Sequence, residues 1–194
     1  MKTLALAAPL LFVACTVFQP IDDDPVRHLL ESPIAARTPT SAAPAVAIAR
    51  PSLPPYLERS ELITRTGDGR LEIHENDLWS EPLDAGIARV MADNLRRLTG
   101  STNIQPSGNF ITRDYTSLVE IRIDRFDPLP DGSLLLECTW KLQQLGGGDA
   151  APKAFRTTVP VTPRAESASA KMSARVTAMN EVLARLSRTI AKSL

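Results

Sequence analysis

Leu134-Leu-Leu-Glu-Cys-Thr-Trp-Lys-Leu-Gln143 is the stretch from which the fold can be read. Leu134, Leu136, Cys138, Trp140 and Leu142 fall on one side of an extended chain, and Leu135, Glu137, Thr139, Lys141 and Gln143 on the other. Strand side chains alternate with a period of two, so this is a strand with one buried and one wet face. Upstream, Val119, Ile121 and Ile123 alternate with Glu120, Arg122 and Asp124, and Asp127-Pro-Leu-Pro-Asp-Gly132 supplies the turn between them. Downstream, Gly146-Gly-Gly-Asp149 turns the chain into Phe155 to Val161, where Pro160 marks an edge strand or a strand end.

Two amphipathic helices flank this meander. Leu83, Ile87, Met91, Leu95 and Leu98 recur every three to four residues, Pro82 lies in the first turn and Gly100 follows the last apolar position, which predicts a helix of about seventeen residues. Ala168, Met172, Val176, Met179, Leu183, Leu186 and Ile190 keep the same spacing over a longer run, with Ser167 placed to cap it. The outer face of this second helix carries Lys171, Arg175, Arg185, Arg188 and Lys192 against Glu181, and reads first as a solvated face whose last cations suit the helix dipole.

Ahead of the first helix, Leu62-Ile-Thr-Arg65 and Leu71-Glu-Ile-His74 flank Thr66-Gly-Asp-Gly69, and an Asp-Gly pair between two such runs predicts a hairpin. Ala45 to Ala49 is compatible with a further strand, Asp24 to Glu31 has room for a short one, and Ile104 and Phe110-Ile111 are strand fragments. Pro51, Pro54 and Pro55 argue against regular structure before Tyr56. The order is strands, helix, three-stranded meander, helix. It predicts an α+β fold: a two-layer sandwich of a mostly antiparallel sheet with both helices on one face.

Composition bounds the function. Among 194 residues, 22 basic side chains balance 22 acidic ones, so no long-range field draws nucleic acid to the chain. Two cysteines, Cys15 and Cys138, allow one bridge at most, and no Cys/His spacing resembles a zinc site. Cys138, on the buried face of the best strand, reads as a small core residue.

The N-terminus is a targeting segment. Met1-Lys2-Thr3 precedes an apolar run from Leu4 to Ala14, too short at 1.5 Å per residue to span a hydrocarbon core of roughly 30 Å. Leu11-Phe-Val-Ala-Cys15 resembles a bacterial lipobox, with residues 1–14 as signal peptide and Cys15 as the acylated new N-terminus carrying palmitate-type chains. Thr16 after the cysteine resembles the sorting signal for the periplasmic face of the outer membrane. Eight of sixteen prolines lie between Pro20 and Pro55, mixed with Ala, Ser and Thr, so residues 15–44 read as a lipidated tether and 45–194 as the folded domain.

No catalytic constellation emerges. His28 and His74 are the available imidazoles; Glu72, His74, Glu75 and Asp77 form the one polar cluster weighed as metal-binding or acid–base, and a wet hairpin face explains them better. There is no Gly-x-Ser-x-Gly elbow, phosphate loop or His-Glu-x-x-His. The reading is therefore without catalytic residues, metal ligands or cofactors.

Two further stretches carry a resemblance. Pro55-Tyr-Leu-x-Arg59 followed by Ile63-x-Arg65, and Trp79-x-Glu81-Pro82-Leu83 opening the first helix, resemble the paraquat-inducible protein C family, auxiliary lipoproteins of ABC-type transport systems. Leu78 stands where an arginine commonly precedes the tryptophan, and Val26-Arg-His-Leu-Leu30 replaces a tyrosine-rich strand. The resemblance implies a non-enzymatic, outer-membrane-anchored subunit of an intermembrane lipid transport system, supporting membrane integrity and partnered by an MCE-domain tunnel protein and membrane transporter subunits. Phospholipid contact and homo-oligomerisation stay open. Tyr56, Arg59 and Arg65 are the expected partner-binding residues, since aromatics and arginines are the usual interface anchors, and Trp79 is expected to be mostly core. The alternatives are a periplasmic lipid-binding carrier and, behind it, an envelope hydrolase using His74.

Overall fold

The computed structural model describes residues 24–39, 45–66, 68–109, 115–147, 150–163 and 166–194. The signal segment, Cys15, Phe110-Ile111 and parts of two turns lie outside these. The elements in chain order are β1 (Val26–His28), β2 (Val46–Ile48), β3 (Glu61–Arg65), β4 (Leu71–Trp79), α1 (Leu83–Thr99), β5 (Ile104–Pro106), β6 (Ser117–Pro128), β7 (Ser133–Gln144), β8 (Lys153–Pro160) and α2 (Ala168–Ala191).

The fold is α+β. Its strands divide into two mixed sheets, one ordered β1-β4-β3 and one ordered β5-β2-β6-β7-β8. The meander β6-β7-β8 is antiparallel as its turns require, and β8 is an edge strand that ends at Pro160, so both positions open to that proline apply. The parallel pairings, β1 with β4 and β2 with both β5 and β6, join segments distant in sequence. They use three-residue strands too short to leave a periodic signal. Val46, Ala47 and Ile48 are all fully buried, so β2 shows no alternation: it lies between two neighbours and is covered on both faces.

The helices pack side by side, α1 against β2 and β5 and α2 against β7 and β8. In α1, Ile87, Val90, Met91 and Leu95 are wholly buried; Gly100, at φ 77°, takes the left-handed cap position with its N–H on the Arg96 carbonyl. Pro82 occupies the N-cap itself. In α2 the Ser167 side chain accepts the Ala170 N–H at 3.2 Å, a cap contributing about 1 kcal/mol. The helices meet through Asn94, fully buried, whose amide donates to Ser187 at 3.1 Å.

One irregularity resets the meander. The β6–β7 register steps past Asp124, between Ile123 and Arg125, so the inward positions change from Val119, Ile121 and Ile123 to Phe126. A bulge shifts side-chain parity by one. It therefore sends Phe126 into the core and sets Asp127 on the same face as Arg125.

Residues 24–39, expected to belong to the tether, lie along the domain instead. β1 extends the smaller sheet, Leu30 is 1% exposed in the core, and carbonyl groups of Leu30 and Ile34 accept from Arg89 (2.8 Å) and Arg97 (2.7 Å) of α1. The Arg37 guanidinium returns a bond to the Leu98 carbonyl. Proline-rich chain without internal hydrogen bonds can be held this way, because arginine side chains satisfy its carbonyls. Pro55, likewise, does not delay structure: it opens a single 3₁₀ turn, Pro55–Leu57, where its missing N–H costs nothing.

Candidate functional site

The residues of the two motif stretches meet along β3 and the start of α1. Tyr56 stands half-buried on the 3₁₀ turn, and its hydroxyl donates to Asp127 Oδ1 at 2.5 Å. Asp127 is 1% exposed, and its other oxygen accepts from Arg125 Nε at 3.0 Å. Burial, then the bond to Asp127 and its negative charge, raise the Tyr56 phenol well above its ordinary range. Tyr56 is thus a structural anchor whose neutral hydroxyl satisfies one oxygen of a buried carboxylate, the charge being balanced by Arg125, and its ring packs on the core. Nothing local in the sequence pairs Tyr56 with Asp127, which reads there as a turn residue.

Arg59 and Arg65 stand at opposite ends of β3 and are exposed; Arg59 makes a long contact of 3.4 Å to Glu61. A solvated pair of this kind contributes little to stability. Both guanidinium groups are available to a partner, whereas the Tyr56 hydroxyl is engaged internally.

Trp79-x-Glu81-Pro82-Leu83 is a clasp rather than a surface. Trp79 and Leu83 are buried, and Glu81 holds Arg89 through Nη2 at 2.5 Å and Nε at 3.0 Å while Arg89 reaches on to Leu30. Gly86 makes room for this: a Cβ there would lie 3.0 Å from Glu81 Oε1. The motif therefore fixes the N-terminal segment to α1. Arg89, Arg97 and Arg175 are contributors that nothing in the sequence singles out, because their partners lie on distant segments.

The polar residues of β4 do not converge. His28, buried beside Trp79 in the register, bonds Asp77 Oδ1 at 2.7 Å. His74 faces the other way in the network: Thr64 Oγ1 lies 2.8 Å from Nε2, and Arg175 of α2 reaches both groups. Burial lowers the pKa of His74, and Arg175 adds to the effect against the opposing pull of Glu72 and Asp77. The Nε2 of His74 is thus engaged within the molecule, by Thr64 and by Arg175. Among the described residues no three His, Cys, Asp or Glu side chains gather to hold a metal ion.

Cys138 is a core residue, 2% exposed, its thiol pushed up to about 12 by burial and by Asp124. The basic side of α2 is largely satisfied within the molecule. Lys171 pairs with Glu166, Arg185 and Arg188 with Glu181, and Arg185 also donates to the Thr158 carbonyl. An apolar cavity of about 20 Å³ lies between Tyr56, Leu62, Trp79, Phe126, Met172 and Met179. It has room for about one water molecule. No described helix is long and apolar enough to cross a membrane.

Comparison with known proteins agrees with this geometry. Residues 28–191 match the family described as ABC-type transport auxiliary lipoprotein component, a span that takes in the docked N-terminal segment from β1 onward. No curated protein matches the chain in sequence. Among solved structures, an uncharacterized protein superposes with a TM-score of 0.63 at 18% identity, over 82% of this chain and 99% of that one. A protein from Xanthomonas campestris gives 0.58 at 18% identity, over 83% and 92%. At this identity the likeness is one of fold.

Proposed function

The chain belongs to the family of ABC-type transport auxiliary lipoprotein components, and from that premise we propose that it is the non-enzymatic, outer-membrane-anchored subunit of an intermembrane lipid transport system. In this reading residues 1–14 are removed, Cys15 is acylated, and the domain sits on the periplasmic face of the outer membrane. There it docks the end of an MCE-domain tunnel protein, with membrane transporter subunits at the tunnel's far end. Arg59 and Arg65 are the proposed contacts, and Tyr56 is the residue that positions the turn bearing Arg59.

The interior carries the choice of adaptor over carrier. The enclosed cavity beneath Tyr56 holds about 20 Å³, enough for a water and not for an acyl chain, and the roomier hollows among the described residues, about 240 to 330 Å³, are clefts that open more widely to solvent. Cargo would therefore pass through the partner. The lipoprotein is expected to co-purify with an MCE-domain protein, and Arg59→Glu with Arg65→Glu is expected to reduce recovery of that partner at unchanged thermal stability. Undiminished recovery sinks the proposed contacts. Native mass spectrometry showing stoichiometric lipid on the anchor-free domain sinks the adaptor reading in favour of the carrier.

A further inference from the structure

Docking of residues 24–39 changes what the lipid anchor can do. A tether from Cys15 to Pro44 would let the domain range up to roughly 100 Å from the bilayer, at 3.3–3.6 Å per extended residue. With the chain held from Val26 onward, eleven residue steps remain, a reach of at most roughly 40 Å. The domain is therefore on a short leash, and one of its faces must look at the membrane.

The direction of β1 says which. β1 runs parallel to β4 with Val26 opposite Asp77 and His28 opposite Trp79, so the chain enters β1 at Val26 from the side of β4 on which Leu71 lies. Leu71 lies about 20 Å further along that strand, six residues at about 3.3 Å each. At that end the smaller sheet has an apolar face. Ile63 pairs with Ile73 and Arg65 with Leu71 in the β3–β4 register, which puts the four side chains on one side. Leu71 is 45% and Ile73 43% exposed. The opposite side, Thr64 and His74, is the one that Arg175 of α2 covers.

We propose that this β3–β4 face, Ile63, Leu71 and Ile73 with Arg65 at its margin, rests on the phospholipid surface that holds the Cys15 acyl chains. The proposal rests on acylation of Cys15, and it places Arg65, proposed above as a partner contact, at the edge where the partner-facing surface meets the headgroup layer. Apolar side chains half out of water gain by entering the headgroup–acyl boundary, and an arginine beside them keeps its charge among phosphates. A few such residues would not bind alone. The leash supplies the effective concentration.

The test uses the full-length lipoprotein in vesicles of phosphatidylethanolamine and phosphatidylglycerol containing spin-labelled lipid. An environment-sensitive fluorophore is attached at Ile73→Cys or, as control, at Lys192→Cys, about 26 Å along α2 from Arg175 at 1.5 Å per residue. The expected result is a blue-shifted emission at position 73, quenched several-fold more than at 192, with Leu71→Asp abolishing the difference while circular dichroism is unchanged. A label at 73 as accessible as that at 192, on protein that still floats with the vesicles, overturns the proposal and leaves acylation standing. So does a label shielded only when an MCE-domain protein is added, which assigns the face to that partner. Protein that fails to float, with an unmodified Cys15 by mass, overturns the acylation reading and this proposal with it.

Discussion

Arg175 of α2 donates to Nε2 of His74 at 3.2 Å across 101 residues of sequence, and the same nitrogen, Nη1, donates to Thr64. One guanidinium thus ties the second helix to both strands of the β3–β4 hairpin. The tie requires an unprotonated Nε2, because an imidazolium would point a donor at a donor.

The pH dependence follows. Burial holds the folded pKa of His74 below the unfolded value near 6.5, so the unfolded chain binds more protons below that pH. The contribution is complete above 6.5 and is lost as pH falls from there toward the folded pKa. His74 is partly open to solvent, which limits the effect to less than about 1 kcal/mol, or about 2–4 °C. Thermal melts between pH 7.5 and 5.5 should show wild type losing more stability than His74→Gln; equal losses would put the titration of His74 aside.

Tyr56→Phe removes one of the donors to the Asp127 carboxylate and leaves Arg125 in place. Leaving a buried carboxylate short of a partner costs about 1–3 kcal/mol. Urea denaturation should show a lower midpoint, with the m-value retained. An unchanged midpoint would mean that water replaces the hydroxyl and that Tyr56 is not the anchor described.

Arg89→Met with Arg97→Met removes the donors to the Leu30 and Ile34 carbonyls. Hydrogen exchange and limited proteolysis should rise within 31–39 while the meander stays protected. Slow exchange throughout would show that Leu30 burial, the β1 pairing and the remaining bonds of Glu31 and Arg37 retain the segment without these arginines, and would leave the short leash intact for a different reason.

Ser187→Ala deprives the buried Asn94 amide of its acceptor and should cost about 1–3 kcal/mol. Adding Asn94→Leu removes the polar group as well and should recover much of the loss. A double-mutant cycle measures the coupling; additive effects would mean that the pair does not set how the helices meet.

Cys138 should resist alkylation in the native protein and react once unfolded, because its thiol is held protonated in the core. The mature lipoprotein should then show a single thiol in denaturant. Two would indicate that Cys15 is unmodified.

Much of the scaffold was readable in advance. The seventeen residues of α1, its Gly100 stop, the Ser167 cap, the alternation of β7 and the turns of the meander are each written in residues within a few positions of one another. Even the edge position of β8 could be taken from Pro160. The candidate site was less legible. The sequence points to Tyr56 as a partner-binding residue and to Trp79 as core, whereas the Tyr56 hydroxyl looks inward to Asp127, and Glu81 looks to Arg89 and through it to Leu30. No spacing rule connects such partners, and the proline content of 24–39 pointed away from a docked segment.

Local chemistry, by itself, determined the elements: side-chain periodicity, capping and turn preference act over one or two turns of chain, so the sequence states them directly. Where the chain returns to itself was decided by tertiary structure alone. The parallel seams of β1 and β2, the bulge that turns Asp127 toward Tyr56, and the arginines that hold a proline-rich segment against α1 all depend on groups 49 to 71 residues apart finding complementary partners. Those pairings are chosen by which buried donors and acceptors can satisfy one another once the core has closed.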